Sequence, residues 1–151
     1  MNNENAEIVI WDDKYSTGIE LIDEQHKELI VLTNELFQAC MAGEGAVQTV
    51  FRDAMSRMVD YVQLHFTAEQ ELLQRIKFPN YAEHKSQHDK LIHEILNAVK
   101  SHKEGKKFVP NLFVRTLRDW ILGHIAVYDK AYGVYATEQI KKGAISAKDL
   151  L

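Results

Sequence analysis

Six side chains able to ligate a metal, His26, His65, Glu69, His84, His88 and His124, fall where the surrounding periodicity calls for apolar residues. A single histidine on a buried helical stripe is ordinarily a neutral ring hydrogen-bonded within the core, and any one of the five carries that reading. The glutamate is harder to accommodate. An ionised carboxylate in a dry interior is very costly unless it is paired or coordinates a metal, and no lysine or arginine occupies any of the stripes. His65 and Glu69 are four residues apart, as are His84 and His88, and side chains at that interval leave a helix on the same face. Each pair can therefore grip one centre. Five imidazoles with one or two carboxylates exceed the four ligands of a structural zinc, so two octahedral ions accommodate them better. Imidazole suits iron, and the absence of cysteine among these ligands excludes thiolate-held clusters and blue copper.

These residues need helices to bring them together. Apolar residues spaced alternately by three and four mark four long segments, each burying one stripe. The first stripe runs Ile22, His26, Leu29, Thr33, Leu36, Cys40 and ends at Gly43 and Gly45. The second runs Phe51, Met55, Met58, Val62, His65, Glu69, Leu72, Ile76 and stops before Pro79, whose ring disfavours helical geometry in the residue before it. Tyr81, His84, His88, Leu91, Ile95 and then Ala98 or Val99 form the third, which fades into the polar stretch 101–107. After Pro110, favourable in a first turn, the fourth runs Phe113, Leu117, Trp120, His124, Val127, Ala131. The expected architecture is all-α: an antiparallel up-down-up-down four-helix bundle, with helices at about 19–42, 47–77, 80–103 and 110–131. An extended N-terminal arm, 1–18, precedes them, and a short terminal helix at about 134–142 is expected after Gly133.

Composition agrees with one globular domain over 1–151. A chain of this length buries around two-thirds of the surface it exposes when unfolded. With 46% hydrophobic and 26% charged residues and a formal charge of -4, neither disorder nor a nucleic-acid surface is indicated. Cys40 stands alone, which excludes an internal disulfide and agrees with a reducing compartment. The apolar run Ile8-Val9-Ile10-Trp11 is too short for a signal or membrane segment. A cytoplasmic location without membrane insertion is the expectation.

The order and spacing of the motifs resemble the hemerythrin family in its single-domain bacteriohemerythrin form. The resemblance runs from Trp11 and Gly18-Ile19 through Ile22-Asp23-Glu24-Gln25-His26-Lys27, His65-Phe66-Thr67-Ala68-Glu69, His84-Lys85-Ser86-Gln87-His88 and Trp120-Ile121-Leu122-Gly123-His124-Ile125 to Asp129-Lys130. It implies a non-haem di-iron centre with His84, His88 and His124 on one iron and His26 and His65 on the other. Glu69, Asp129 and an oxo or hydroxo group bridge the two. On that count only the iron held by two histidines keeps an open position, so dioxygen is expected there. Gln70 stands where the family commonly has a second acid, and Val127 where a bulkier leucine often lines the dioxygen pocket.

Asp129 is not legible from periodicity, since five residues of ideal α-helix turn it about 140° away from His124. If it is a ligand, the helix must widen into a π-type turn or unwind between the two, a feature common at functional sites. His93 and His102 are expected at the surface, and Trp11 and Phe66 are candidates to shield the irons. The function implied is reversible dioxygen binding, for storage, transport or delivery to an oxygen-consuming recipient protein, and not enzymatic. The alternatives are a di-iron oxidase or peroxidase, a nitric-oxide-handling enzyme, or an oxygen or iron sensor. Histidine dominance argues against ferritin-like enzymes, whose sites use more carboxylates and glutamate-x-x-histidine pairs.

Overall fold

The fold, a computed structural model, describes residues 7–43, 45, 47–105 and 109–151. The expected arm residues 1–6 and the stretch 106–108 lie outside the described residues. Four helical columns pack as an all-α bundle, and no strand occurs among the described residues. The first column is α1, Glu20–Met41. A π turn, Val47–Phe51, leads into α2, Arg52–Arg75. Next comes α3, Tyr81–Lys103. The last column is composite: α4, Pro110–Gly123, a π turn His124–Asp129, and α5, Lys130–Lys141. Helix α1 packs against α2 and α4, and α2 against α3.

Local chemistry sets the ends. Pro110 opens α4, where its missing N–H is no loss. At the end of α2 the chain turns through Lys77 at φ 57°, and Phe78 N donates to Leu73 O at 2.9 Å, the bond of a Schellman stop. Asp23, in the first turn of α1, accepts from Thr17 N (2.7 Å), Thr17 Oγ1 (2.8 Å) and Ser16 Oγ (2.5 Å). Asn34 clasps the arm further along, accepting from Ile8 N and Val9 N and donating to Val9 O. At the other terminus Arg75 Nε donates to Asp149 O, tying the last 3-10 turn, Ala147–Leu150, to α2.

Two boundaries differ from the sequence reading. Gly133 does not break the last column; it is buried within α5, which runs unbroken to Lys141, so the terminal helix expected at 134–142 begins at Lys130 instead. Glycine is there because the arm crosses it: a Cβ at 133 would stand 2.1 Å from the Thr17 carbonyl oxygen. The fourth stripe also ends early. Leu117 and His124 are buried as expected, but Val127 and Ala131 face outward, while Val114, Ile121 and Ile125 fill the core instead.

The ligand candidates form a layer between two apolar clusters. Leu29, Phe66, Leu91, Ile121 and Ile125 belong to the larger cluster on one side. Ile22, Leu72, Ile76 and Tyr132 belong to the smaller on the other. Each column passes from one cluster, through its histidines or acids, into the other.

Candidate metal centre

Four columns deliver seven side chains to this layer: His26 from α1, His65 and Glu69 from α2, His84 and His88 from α3, His124 and Asp129 from the π turn. All seven are buried, with exposures between 0% and 5%. The π turn is what admits Asp129. With its wider period it brings Asp129 onto the same inner face as His124, and the two stand 3.0 Å apart, Nε2 to Oδ1.

The ligating atoms fall into two overlapping groups, within each of which they lie inside 4.8 Å of one another: Glu69, His84, His88, His124, Asp129, and His26, His65, Glu69, Asp129. Each carboxylate divides its oxygens between them. Asp129 Oδ1 faces His84 and His124 at 3.1 and 3.0 Å, and Oδ2 faces His26 at 2.9 Å. Glu69 Oε2 faces His65 at 3.2 Å, and Oε1 faces His84 and His88 at 3.7 and 3.8 Å. His124 Nε2 stands 3.1 Å from His88 Nε2 and 3.2 Å from His84 Nε2.

Three imidazole nitrogens turned toward one point cannot all hydrogen-bond each other. Two ligands about 2.1 Å from one ion and at a right angle to each other stand about 3 Å apart, which is the spacing seen here. His26 Nε2 and all four oxygens of Glu69 and Asp129 find no hydrogen-bond partner of proper geometry among the described residues. Buried polar atoms are nearly always satisfied, and a divalent cation in each group would satisfy these.

Outer partners fix the rings. His65 Nδ1 donates to Gln25 Oε1 (2.7 Å) and His124 Nδ1 to Gln87 Oε1 (3.0 Å), while the Gln70 amide stands 3.2 Å from His88 Nδ1. An Nδ1 held by an acceptor leaves Nε2 bare and directed at the centre. Gln70, a departure from the family pattern, differs from the other two: its Nε2 is a donor, so it contacts the His88 ring without holding an Nδ1 proton. Phe66 lies flat on His88, ring centroids 3.6 Å apart, and Trp120 on His124 at 4.5 Å. Phe66 is therefore a shield as expected; Trp11 instead packs on Tyr15 beneath Lys27.

Electrostatics reflect the crowding. Burial and Asp129 oppose ionisation of Glu69, yet the His65 and His84 imidazoles draw it down to about 2. Asp129 is held well below the carboxylate range, since His124, His26 and His84 outweigh its burial. Burial disfavours a charge on His84, but Asp129 and Glu69 push it up to about 9; His26 is also raised, against its burial, chiefly by Asp129. Burial takes His88 down to about 3.

Against the ligand layer, touching one histidine of each group and Asp129, lies an apolar cavity of about 10 Å³, roughly the room one water needs. Leu29, Phe66, Ile121 and Ile125 line it together with His65 and His124. Val127, expected at this pocket, is 62% exposed. The π turn points it out and places Ile125 within. His93 is exposed, as expected. His102 is half-buried rather than at the surface, its ring edge against Phe51. Tyr132, fully buried, with Glu69 and Asp129 raising its hydroxyl pKa after burial itself, was not singled out by the sequence. Its position three residues beyond Asp129 was the available signal.

Fold and site together define a helical bundle with a buried imidazole–carboxylate cluster suited to metal cations. The chain belongs to the hemerythrin family: the profile of the hemerythrin HHE cation-binding domain matches residues 17–135. It is 29% identical over 120 residues to a bacteriohemerythrin of Methylococcus capsulatus, an alignment covering 80% of this chain and 89% of that one. A hemerythrin-like protein of Naegleria gruberi is 28% identical, with 81% and 88% covered. The crystal structure of a wild-type hemerythrin superposes with a TM-score of 0.78 at 28% identity, covering 83% of this chain and 95% of that one. No helix among the described residues is long and apolar enough to cross a membrane.

Proposed function

We propose that this chain binds dioxygen reversibly at a non-haem di-iron centre, serving oxygen storage, transport or delivery. In this reading His84, His88 and His124 hold one iron, His26 and His65 the other, and Glu69 and Asp129 bridge them. The observation that carries it is the division of oxygens: both carboxylates offer one atom to a three-histidine group and one to a two-histidine group. The iron pair supplies the electrons that dioxygen takes up on binding.

The chain's own residues do the rest. Gln25, Gln70 and Gln87 orient three rings. The small apolar cavity against His65 and His124 has room for about one water-sized guest, so a diatomic molecule there leaves no space for bulk water. Apolar clusters above and below the ligand layer keep out bulk water and proton donors, which favours release of dioxygen over its further reduction. The family profile supports a binding role, and residues 1–151 are read as a single domain of this kind.

The test is anaerobic loading with ferrous iron, then oxygen, then vacuum. We expect two irons per chain and a charge-transfer absorption that appears with oxygen and vanishes under vacuum. His65→Ala should abolish the band, and His93→Ala should leave it unchanged. A protein that takes up no iron, or whose colour never reverses, refutes the reading.

A further inference from the structure

An iron pair that has lost its electrons to dioxygen outright is inert until two are returned, and the ligand layer offers a reductant almost no access. Every histidine nitrogen facing the centre is buried. One place on the surface comes close. Between the start of α3 and the π turn is an open depression of about 70 Å³, lined by Phe78, Asn80, Glu83, His84, Tyr128 and Ala131. His84 forms part of its lining although its side chain is only 2% exposed. Tyr128 is 41% exposed and stacks on His124, ring centroids 5.5 Å apart and planes 24° from parallel. Two rings of the three-histidine group thus meet one surface feature, directly in one case and through a stacked phenol in the other.

We propose that this depression is an electron-entry port for a reduced flavin, with Tyr128 as the residue that couples the flavin to His124. The inference rests on the di-iron reading above. Its chemistry selects the donor. The space is far below the 300–1,000 Å³ of a pocket enclosing a whole cofactor, so it takes only the edge of a planar ring. Phe78 and Tyr128 supply aromatic walls, and Glu83, the one carboxylate in the lining, disfavours a phosphate or carboxylate there. The apolar edge of an isoalloxazine fits. A reduced flavin hydroquinone gives up two electrons in turn, one to each ferric ion, and releases its two protons to solvent. It ends as oxidised flavin beside a diferrous pair. The dioxygen cavity, lined by Leu29, Ile121, Ile125 and others, shares no residue with this depression. The two openings are therefore distinct, although His124, on which Tyr128 stacks, also lines the cavity.

Two measurements test the port. Flavin mononucleotide added to the purified protein is followed by amide chemical-shift mapping, which needs no iron. Shifts centred on 78–84 and 128–131 are expected; no shifts, or shifts centred elsewhere, overturn the proposal. In the iron-loaded diferric protein, anaerobic reduction by photoreduced flavin mononucleotide is timed in a stopped-flow instrument. Tyr128→Leu should slow it at least several-fold at unchanged iron content, and Tyr128→Phe should restore the rate. An unchanged rate in Tyr128→Leu overturns the role of Tyr128. Failure of reversible dioxygen binding with flavin mapping to the depression would instead sink the di-iron reading and leave the binding site standing.

Discussion

Alanine at position 133 should destabilise this protein even though alanine is the better helix former. Within a helix the exchange from glycine gains about 1 kcal/mol. Space reverses the sign. A Cβ at Gly133 would meet Thr17 O at 2.1 Å, Thr17 C at 3.0 Å and Thr17 Cα at 3.2 Å, and real Cβ atoms essentially never come inside 3.0 Å. The arm would have to withdraw by close to an ångström. Thr17 is tethered, because its N and Oγ1 both donate to Asp23 Oδ1, at 2.7 and 2.8 Å. Losing a hydrogen bond to a charged group costs about 1.5–3 kcal/mol; holding the arm in place costs an overpacking strain of about 1–3 kcal/mol. Either route meets or exceeds the helical gain, and the net loss of up to about 2 kcal/mol lowers Tm by roughly 2–4 °C per kcal/mol in a chain this long. Gly123 is the control, a helical glycine with nothing within 4 Å of its would-be Cβ. Urea unfolding and thermal melts of both variants decide the matter: Gly123→Ala should be neutral or stabilising and Gly133→Ala destabilising. Equal stabilities for the two would refute the crossing of arm and helix.

The remaining predictions concern the site. Ile125→Ala should enlarge the dioxygen cavity, change the dissociation and autoxidation rates, and cost about 2–5 kcal/mol of stability, whereas Val127→Leu, exposed, should leave both rates as they are; oxygen-jump kinetics that moved only in Val127→Leu would contradict this placement. Metal loading at pH 7 should release about one to two protons per chain, because ligation needs neutral imidazole and His84, pushed up to about 9 with His26 also raised, carries its proton in the metal-free protein. Calorimetry in buffers of different ionisation enthalpy reads that number. The raised His84 also gives the metal-free protein stability fully present below 6.5 and lost as pH rises through about 9. Glu69 acts oppositely, contributing above 4.5 and losing its contribution as pH falls toward about 2. Urea midpoints of metal-free protein should fall between pH 6.5 and 9, and those of loaded protein should not.

Three of the four inward stripes were legible because α1, α2 and α3 keep an undisturbed α-helical period through His26, His65, Glu69, His84 and His88. The fourth misled at the point where its period changes. A π turn adds a residue to the repeat, so everything after His124 rotates: Val127 leaves the core, and Ile125 and Asp129 enter it. No propensity marks that turn, and only a likeness to proteins that need an acid there suggested it. Gly133 reads as a break for the ordinary reason that glycine weakens helices, while its actual cause is the carbonyl of Thr17, distant in sequence and visible only in the fold. Gln25, Gln70 and Gln87 were similarly opaque, since an amide that orients a ring from another column looks like any half-exposed polar residue.

One feature of the packing ties binding to its cost. Two ionised carboxylates in a water-free layer are tolerable only with positive charge beside them, supplied by imidazolium in the metal-free chain and by cations once ligation displaces those protons. The apolar clusters that hold this charge in place are the same ones that, on the di-iron reading, would exclude protons from dioxygen. Opening the layer to let a reductant reach the metals would admit water along the same path and undo reversibility. Aromatic rings resolve the conflict, since Tyr128 stacked on His124 joins the surface to the ligand layer while filling the space a water channel would need. On the di-iron reading a bundle that stays dry and is still re-reduced after oxidation needs electronic contact without solvent contact, and Tyr128 against His124 is where the fold offers it.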